Sequence, residues 1–445
     1  MFFVFPTPAP GRHPAVRFSR QLAAFTGALA LSTAAVAAGV PLTLPAAQQL
    51  AIQRSRQLSA QDFAVSASRD MAVAAGQLPD PVLKFGIDNL PVDGVDRFSL
   101  TNDFMTMRRV GVMQEFTRAD KRQLRADRYE REAEKDLAEK NLTVAAIQRD
   151  TALAWLDRYY AEATAAVIAE QGAQARLEIQ AAEGAYRAGR GSQADVFAAR
   201  SALAAFDDRN SDIGRRIRNA RIMLARWIGD AGDAPLAGEP AIDAIRLDPA
   251  NLDSHLAHHP QIAVLTRQED IAETEAKLAQ ANEKADWSVE LAYQQRGPAY
   301  SNMVSIGVSI PLQWDRKNRQ DRELSSKLAL VEQAKAERDE ALRAHIAETR
   351  SMIDEWQNGR ERITRYRREL IPLANERTTA TLTAYRGGKA GLNDVLAARR
   401  NELDVRLQAL QLEADTARLW ARLNFLFPED LQRTNAASTV SKDMK

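Results

Sequence analysis

Ala185-Tyr186-Arg187-Ala188-Gly189 is followed by Asp195-Val196 and Ala198-Ala199-Arg200, and Ala384-Tyr385-Arg386-Gly387-Gly388 is followed by Asp394-Val395 and Ala397-Ala398-Arg399. The offset between the two stretches is 199 residues throughout, with no gap. Agreement at so many positions marks an internal duplication. It extends upstream, where Val110-Gly111-Val112 with Phe116 and Lys121 parallels Ile306-Gly307-Val308 with Leu312 and Lys317 at an offset of 196. Each half therefore has one order of parts: helix, strand, loop, strand, very long helix, Gly turn, helix.

The helices are long. Between Phe116 and the turn at Gly189 there is no proline, and Gly172 and Gly184 are the only glycines; the matching stretch from Lys317 to Tyr385 holds only Gly359 and Pro372. Each run of ~70 residues rises on the order of 100 Å. Heptad-like spacing runs through them: Leu403, Leu407, Leu410, Ala414, Ala417 and Ala421 form one seam, and Leu203, Phe206, Ile213, Ile217, Ala220, Leu224 and Trp227 a second. Ile346, Thr349, Ile353, Trp356, Ile363 and Leu370 form a third. Such stripes are coiled-coil seams, and the many alanines in them allow helices to approach closely.

The strands alternate. Trp287, Val289, Leu291 and Tyr293 share one face, and Ser288, Glu290, Ala292 and Gln294 the other; Val304, Ile306, Val308, Ile310 and Leu312 oppose Ser305, Gly307 and Ser309. Leu83, Phe85 and Ile87 alternate with Lys84, Gly86 and Asp88, and Val110 and Val112 belong to a fourth, weaker strand. This period of two gives one apolar and one polar face. No other apolar surface is large enough to cover the apolar one, so a lipid-facing barrel with a polar lumen suits the pattern. Trp287, Phe116 and Trp314 stand at strand ends, where an interfacial aromatic girdle belongs. Four strands do not close a barrel, and lipid does not tolerate an open edge. Two chains reach the minimum of ~8 strands with little lumen; three give twelve strands and a conducting bore.

Composition favours long helices over a compact α/β domain. The chain's 445 residues have a net charge of +1, which gives no field that points to nucleic acid. Cysteine is absent, which excludes disulfides, thiolate metal sites and Cys nucleophiles. Residues 1–37 read as a secretory signal: Arg12, Arg17 and Arg20 precede the apolar stretch Leu22 to Val36, and Ala35-Val36-Ala37 offers a cleavage site. Residues 38–228 form the first repeat, with strands near 82–88 and 108–116 and a turn at 186–195. The second repeat covers 261–427, with strands near 287–295 and 303–312 and a turn at 385–394. Between them, 229–260 is an irregular equatorial segment rich in Gly and Pro, and 428–445 reads as a disordered polar tail.

The duplicated long hairpins, two strands per half, the signal and the paired Tyr-x-x-Gly-x(5)-Asp-Val turns together resemble the TolC family of outer-membrane efflux proteins. The resemblance runs from about Leu42 to Phe427, and its opening Leu42-Thr43-Leu44-x-x-Ala47 is also typical of that family. It implies a mainly α fold with a small transmembrane β part: a homotrimer with a twelve-stranded β-barrel over a long coiled-coil α-barrel. The expected place is the Gram-negative outer membrane, in contact with its lipid, with a helical extension into the periplasm. The implied partners are a periplasmic membrane-fusion adaptor and an inner-membrane pump of the RND type; no cofactor is implied. A narrower resemblance is to the CzcC-like and CusC-like components of heavy-metal efflux. It is carried by Asp88-Asn89-Leu90-Pro91-Val92-Asp93-Gly94, Asp103-Phe104-Met105-Thr106-Met107-Arg108-Arg109 and Gln114-Glu115-Phe116.

No catalytic constellation is visible. Gly189 and Gly388 supply the positive φ that a tight helix-to-helix turn needs. Asp195 and Asp394 then fall near the starts of the returning helices, where exposed N–H groups favour a carboxylate. In the resembled family, acids at these positions help constrict the periplasmic mouth and the turns dock the adaptor. Tyr186, Arg187, Tyr385 and Arg386 are expected to hold the closed form or meet the adaptor. Met105, Met107 and Met113, in or beside the loop between the first two strands, offer thioethers to a soft cation or pack at the outer rim. His255, His258 and His259 cluster before Pro260, as helix-start polar residues or as metal ligands. Heavy-metal efflux is the leading reading. A TolC-like channel for multidrug efflux or type I protein secretion is a second, and a soluble coiled-coil scaffold is a third, from another class.

Overall fold

The structure is a computed structural model that describes residues 41–189 and 191–429. The expected signal (1–37) and the expected tail beyond Glu429 lie outside the described residues. The chain opens with α1 (Leu44–Arg54) and α2 (Arg56–Ala75). The two are separated at Ser55, whose hydroxyl accepts from the Leu58 N–H at 3.3 Å and so caps the second helix.

The four strands fall in two pairs, one in each half of the chain: β1 (Val82–Asp88) with β2 (Met107–Phe116), and β3 (Trp287–Gln295) with β4 (Met303–Ser309). They form one antiparallel sheet in the order β1-β2-β3-β4. β4 stops three residues short of Leu312, because Pro311 has no N–H for a ladder. The register puts Leu83 beside Val112 beside Leu291 beside Ile306, so one face is apolar across all four strands. That face is bare: Phe85 is 81% and Ile306 74% exposed.

The first long helix, α3, runs unbroken from Ala119 to Arg187, and its 69 residues rise about 100 Å. It turns back into α4 (Gln193–Ile228). After an irregular stretch come α5 (Leu252–Leu256) and α6 (Pro260–Ala281), then β3 and β4. The second long run is divided into α7 (Gln320–Arg365), a π-helical turn at Tyr366–Leu370 and α8 (Ile371–Arg386); α9 (Leu392–Asn424) returns. The helices form one layer. α3 packs between α2 and α6 in one half and between α4 and α9 in the other, and α7 packs on α6 and α9.

The seams bury as their spacing predicts, with one correction. Leu403, Ala414, Ala417 and Ala421 are buried, as are Ile213, Leu224, Thr349, Ile353, Trp356 and Ile363, but Leu370 is 38% exposed. The π turn inserts one residue and rotates the rest of the helix by about 100°, so Leu370 leaves the seam. Ala374 and Thr378 take up the buried positions beyond it.

The main core lies at mid-height, around Trp155, Leu156, Ile147, Leu224 and Ala417. Irregular segments strap the helices there. Leu42 bridges Leu236, with its N–H on the Pro235 carbonyl at 2.8 Å. Three indoles anchor the straps: Trp155 donates to the Leu42 carbonyl (3.1 Å), Trp356 to Ile242 (3.1 Å) and Trp420 to Ala244 (2.8 Å). The last described residue, Glu429, exchanges two bonds with the buried Gln148 side chain, at 2.7 and 2.8 Å. Among the described residues no helix is long and apolar enough to cross a membrane.

Candidate functional site

Both hairpin turns are built alike. At the first, the Ala188 N–H closes on Gly184 and the Gly189 N–H on Tyr186, and Gly189 adopts φ +72°. At the second, the Gly387 N–H closes on Thr383 and the Gly388 N–H on Tyr385, and Gly388 adopts φ +70°. This left-handed step reverses the chain, and a side chain there meets about 1–2 kcal/mol of strain.

The two acids do unequal work. Ser192 caps α4, and the Asp195 carboxylate accepts from the Ser192 N–H (2.9 Å) and hydroxyl (2.8 Å), while the Asp195 N–H donates to Ser192 Oγ (3.2 Å). This is a full capping box. Those bonds, the backbone one first, hold the Asp195 carboxyl below its ordinary range. At the second turn Gly391 stands where Ser192 stands in the first. Among the described residues Asp394 accepts from the Gly391 N–H alone, at 2.9 Å, and the residue is exposed.

The turns are brought together. Ala182, Val196, Ala199 and Leu392 are buried in one cluster, with Tyr385, Leu396 and Ile179 against it. Tyr385 therefore packs between the hairpins, whereas Tyr186 is exposed. Arg187 reaches back to Glu183 at 3.3 Å, and Arg200 meets the same carboxylate at 2.8 Å. Arg200, ahead of Arg187, holds Glu183 below the usual carboxylate range. Arg386 is exposed. Ser192 and Glu183 were missed in the sequence, although Ser-x-x-Asp before a helical run is a recognisable capping signal.

Farther from the turns, ion pairs tie α9 to the first hairpin: Arg418 to Asp157 (2.8 Å), Arg406 to Glu170 (3.3 Å) and Arg209 to Asp404 (3.6 Å). The Arg418–Asp157 and Arg209–Asp404 pairs border an open groove of about 840 Å³ between α3, α4 and α9, with Asp208, Asp212 and Arg216 along its wall.

The three methionines are not gathered at the loop. Met105 lies in the loop, Met107 begins β2 opposite Asp88, and Met113 lies deep in β2 opposite Val82. Six residues of strand put Met107 and Met113 about 20 Å apart. The histidines serve the equatorial segment. His259 caps α6 by accepting the Gln261 N–H at 3.2 Å, lies against His345 with ring centroids 4.1 Å apart and planes tilted by 49°, and meets Phe427 edge-on. Burial, then the neighbouring His345, lowers its pKa to about 4, and burial lowers that of His345. His258 Nδ1 bonds the Ser254 carbonyl. Among the described residues no group of three or more His, Cys, Asp or Glu is placed to share a metal ion.

No protein-family model matches the chain. The cobalt-zinc-cadmium resistance protein CzcC of Cupriavidus metallidurans is 25% identical over 394 residues, which cover 84% of this chain and 87% of that protein. The crystal structure of the outer membrane protein VceC from Vibrio cholerae superposes with a TM-score of 0.70 at 19% identity, over 86% of this chain and 95% of that one. CusC, crystallised in a study of its folding and transmembrane channel formation, gives a TM-score of 0.71 at 16% identity, over 88% and 93%.

Proposed function

We propose that this chain, an outer-membrane efflux protein of TolC-like fold, works as one subunit of a trimeric passive duct that exports heavy-metal cations. It is a conduit and not an enzyme. The observation that carries the reading is the sheet. Its apolar face is bare, and the outer edges of β1 and β4 have no partner strand within the described chain. In lipid both faults are cured together when the edges of neighbouring copies pair and the apolar face turns outward.

The helical layer supports the same assembly. One margin, α2 and α4, exposes Phe63, Ile222 and Met223, and the other, α7 and α8, exposes Leu328 and Leu373. Joining unlike margins head to tail closes a ring. With the barrel in the outer membrane, α3 reaches about 100 Å into the periplasm. In this reading the paired turns meet a periplasmic adaptor and an inner-membrane pump of the RND type, which hand over the cargo. The turns, with Tyr186, Arg187, Gly189, Asp195, Tyr385, Arg386, Gly388 and Asp394, form the mouth. Asp394, exposed and singly bonded, is the better candidate for a carboxylate ring there; Asp195 is committed to its cap. Single-channel recording of Asp394→Ala tests this, and unchanged conductance together with unchanged cation block refutes it.

The cargo rests on the likeness to CzcC and on the Asp88–Gly94 and Asp103–Arg109 segments. The test is growth of a deletion strain across Co, Zn, Cd, Ni, Cu and Ag. Hypersensitivity to one or more of these supports the reading; sensitivity only to organic drugs, or loss only of a secreted protein, replaces it with a multidrug or protein-export duct.

A further inference from the structure

On the polar face of the sheet four charged side chains form a lattice across three strands. Lys84 on β1 reaches Glu290 on β3, two strands away, at 2.7 Å. Arg109 on β2 meets Glu290 at 3.3 Å and Asp88 on β1 at 3.4 Å. We propose that this lattice sets the charge character of the middle of the bore: Asp88 and Glu290 are both kept paired, so that neither adds a ring of free acids to the barrel wall. The inference rests on the barrel reading of the proposed function.

The lattice depends on Gly111. In the register, Gly111 lies between Lys84 on one side and Ala292 on the other. The Lys84 side chain must cross β2 here to reach Glu290, and only a residue without a side chain leaves that path open. A Cβ on Gly111 would also stand 2.9 Å from the Ala292 Cβ and 3.0 Å from the Leu291 carbonyl. Ala292 is 1% exposed and Gly111 is buried, although both lie on the polar side of a single sheet. The charged side chains themselves are the cover. Gln294, donating to Ser305 at 3.1 Å, extends the polar row to β4.

Two cationic and two anionic side chains cancel within one copy, and three copies place a neutral, finely mixed band around the wall. Left unpaired, Asp88 and Glu290 would instead face their symmetry mates across the bore. Conduction requires that an ion bind weakly enough to leave. Stacked rings of free Asp88 and Glu290 within the barrel would retain divalent cations; a neutral lattice lets them pass. Glu115, the other acid on this face, lies at the far end of β2 from Asp88.

The chain has no cysteine, so a single introduced one reports local potential. Ser305→Cys lies in the row of Lys84, Gly111 and Ala292, and Ile306→Cys lies on the opposite face. Assembled trimers in lipid vesicles are labelled with a cationic and an anionic methanethiosulfonate of similar size. With the lattice intact, Ser305→Cys reacts with both at comparable rates. Adding Lys84→Gln or Arg109→Gln raises the cationic-to-anionic rate ratio about fivefold, the order expected for one unpaired charge several ångströms away in a watery bore. Glu290→Gln lowers the ratio, and Lys84→Arg in place of Lys84→Gln keeps it at the value of the intact lattice. If Lys84→Gln fails to assemble, Arg109→Gln exposes the same carboxylates. A ratio unchanged in heat-resistant trimers of either variant overturns the lattice proposal and leaves the duct standing. Labelling at Ile306→Cys but not at Ser305→Cys overturns the barrel reading itself.

Discussion

Asp195 and Asp394 occupy equivalent places in the duplication but are held differently, and that difference predicts unequal effects of removing them. Asp195→Ala deletes two accepted hydrogen bonds, from the Ser192 N–H and hydroxyl, and undoes a capping box. Asp394→Ala deletes one, from the Gly391 N–H. Cap losses run about 0.5–2 kcal/mol, and solvent at the turn favours the lower part of that range for a single bond. The first hairpin tip should therefore loosen by about 1–2 kcal/mol and the second by about 0.5–1 kcal/mol. At 1.4 kcal/mol per factor of ten, amide protection falls about 5- to 30-fold at the start of α4 and about 2- to 5-fold at the start of α9. Hydrogen exchange read by mass spectrometry on assembled trimers, over peptides from 191–199 and 390–398, measures both. Acid gives an internal control. The folded Asp195 carboxyl lies below 3.8, so its contribution is complete above that pH and is lost as pH falls through the folded value. Wild-type protection at the start of α4 should thus decline in strong acid, and Asp195→Ala should already lack that component. Equal losses at the two tips, or a larger loss for Asp394→Ala, refute the assignment of Asp195 as the structural cap and Asp394 as the free carboxylate.

Gly359→Ala drives a methyl into the Thr416 side chain, whose hydroxyl is bonded to Leu412 at 2.8 Å. Overpacking of about 1–3 kcal/mol, less ~1 kcal/mol regained as helix propensity, should lower the denaturation midpoint; a raised midpoint contradicts the close α7–α9 approach. Trp356→Phe leaves the Ile242 carbonyl unpaired in a buried place and should cost about 1–3 kcal/mol, read in urea unfolding, with Trp420→Phe milder because its bond is exposed. His259 has its pKa lowered to about 4 from 6.5, so neutral His259 stabilises the fold fully above 6.5 and that support drains away as pH falls towards 4. The loss is on the order of 3 kcal/mol, and His259→Asn, which keeps an acceptor for the Gln261 N–H, should flatten this part of the pH–stability curve. An unchanged slope would mean that other groups carry it.

Much of the architecture is legible in the chain because it is written locally. The period-2 strands and the Gly-x(5)-Asp turns are short-range signals, each is found in the structure, and the offset of 199 residues only repeats them in a second half. The features that are not legible depend on distance along the chain. Lys84 and Glu290 are 206 residues apart, and nothing in either strand alone announces that the ammonium will cross β2. The unequal roles of Asp195 and Asp394 turn on Ser192 against Gly391, a single difference inside otherwise matching motifs. The three methionines look clustered because Met105, Met107 and Met113 are close in number. An extended strand, at ~3.4 Å per residue, pulls such neighbours apart. Leu370 fits the heptad count and still leaves the seam, since one residue of π turn is invisible to spacing.

That same π turn gives the two halves of the duplication different elastic properties. In α3 the backbone ladder runs without interruption through a 69-residue helix, so bending strains many turns at once and the helix behaves as a stiff rod. Between α7 and α8 the ladder is widened at Tyr366–Leu370, and Pro372 withdraws a donor just beyond it. Curvature there is concentrated in one turn, and the α8–α9 tip, some 16 residues farther on, moves as the end of a short lever. A tandem copy that began as a duplicate thus supplies one member that fixes length and one that yields. The yielding member is the one whose turn carries the exposed carboxylate of Asp394.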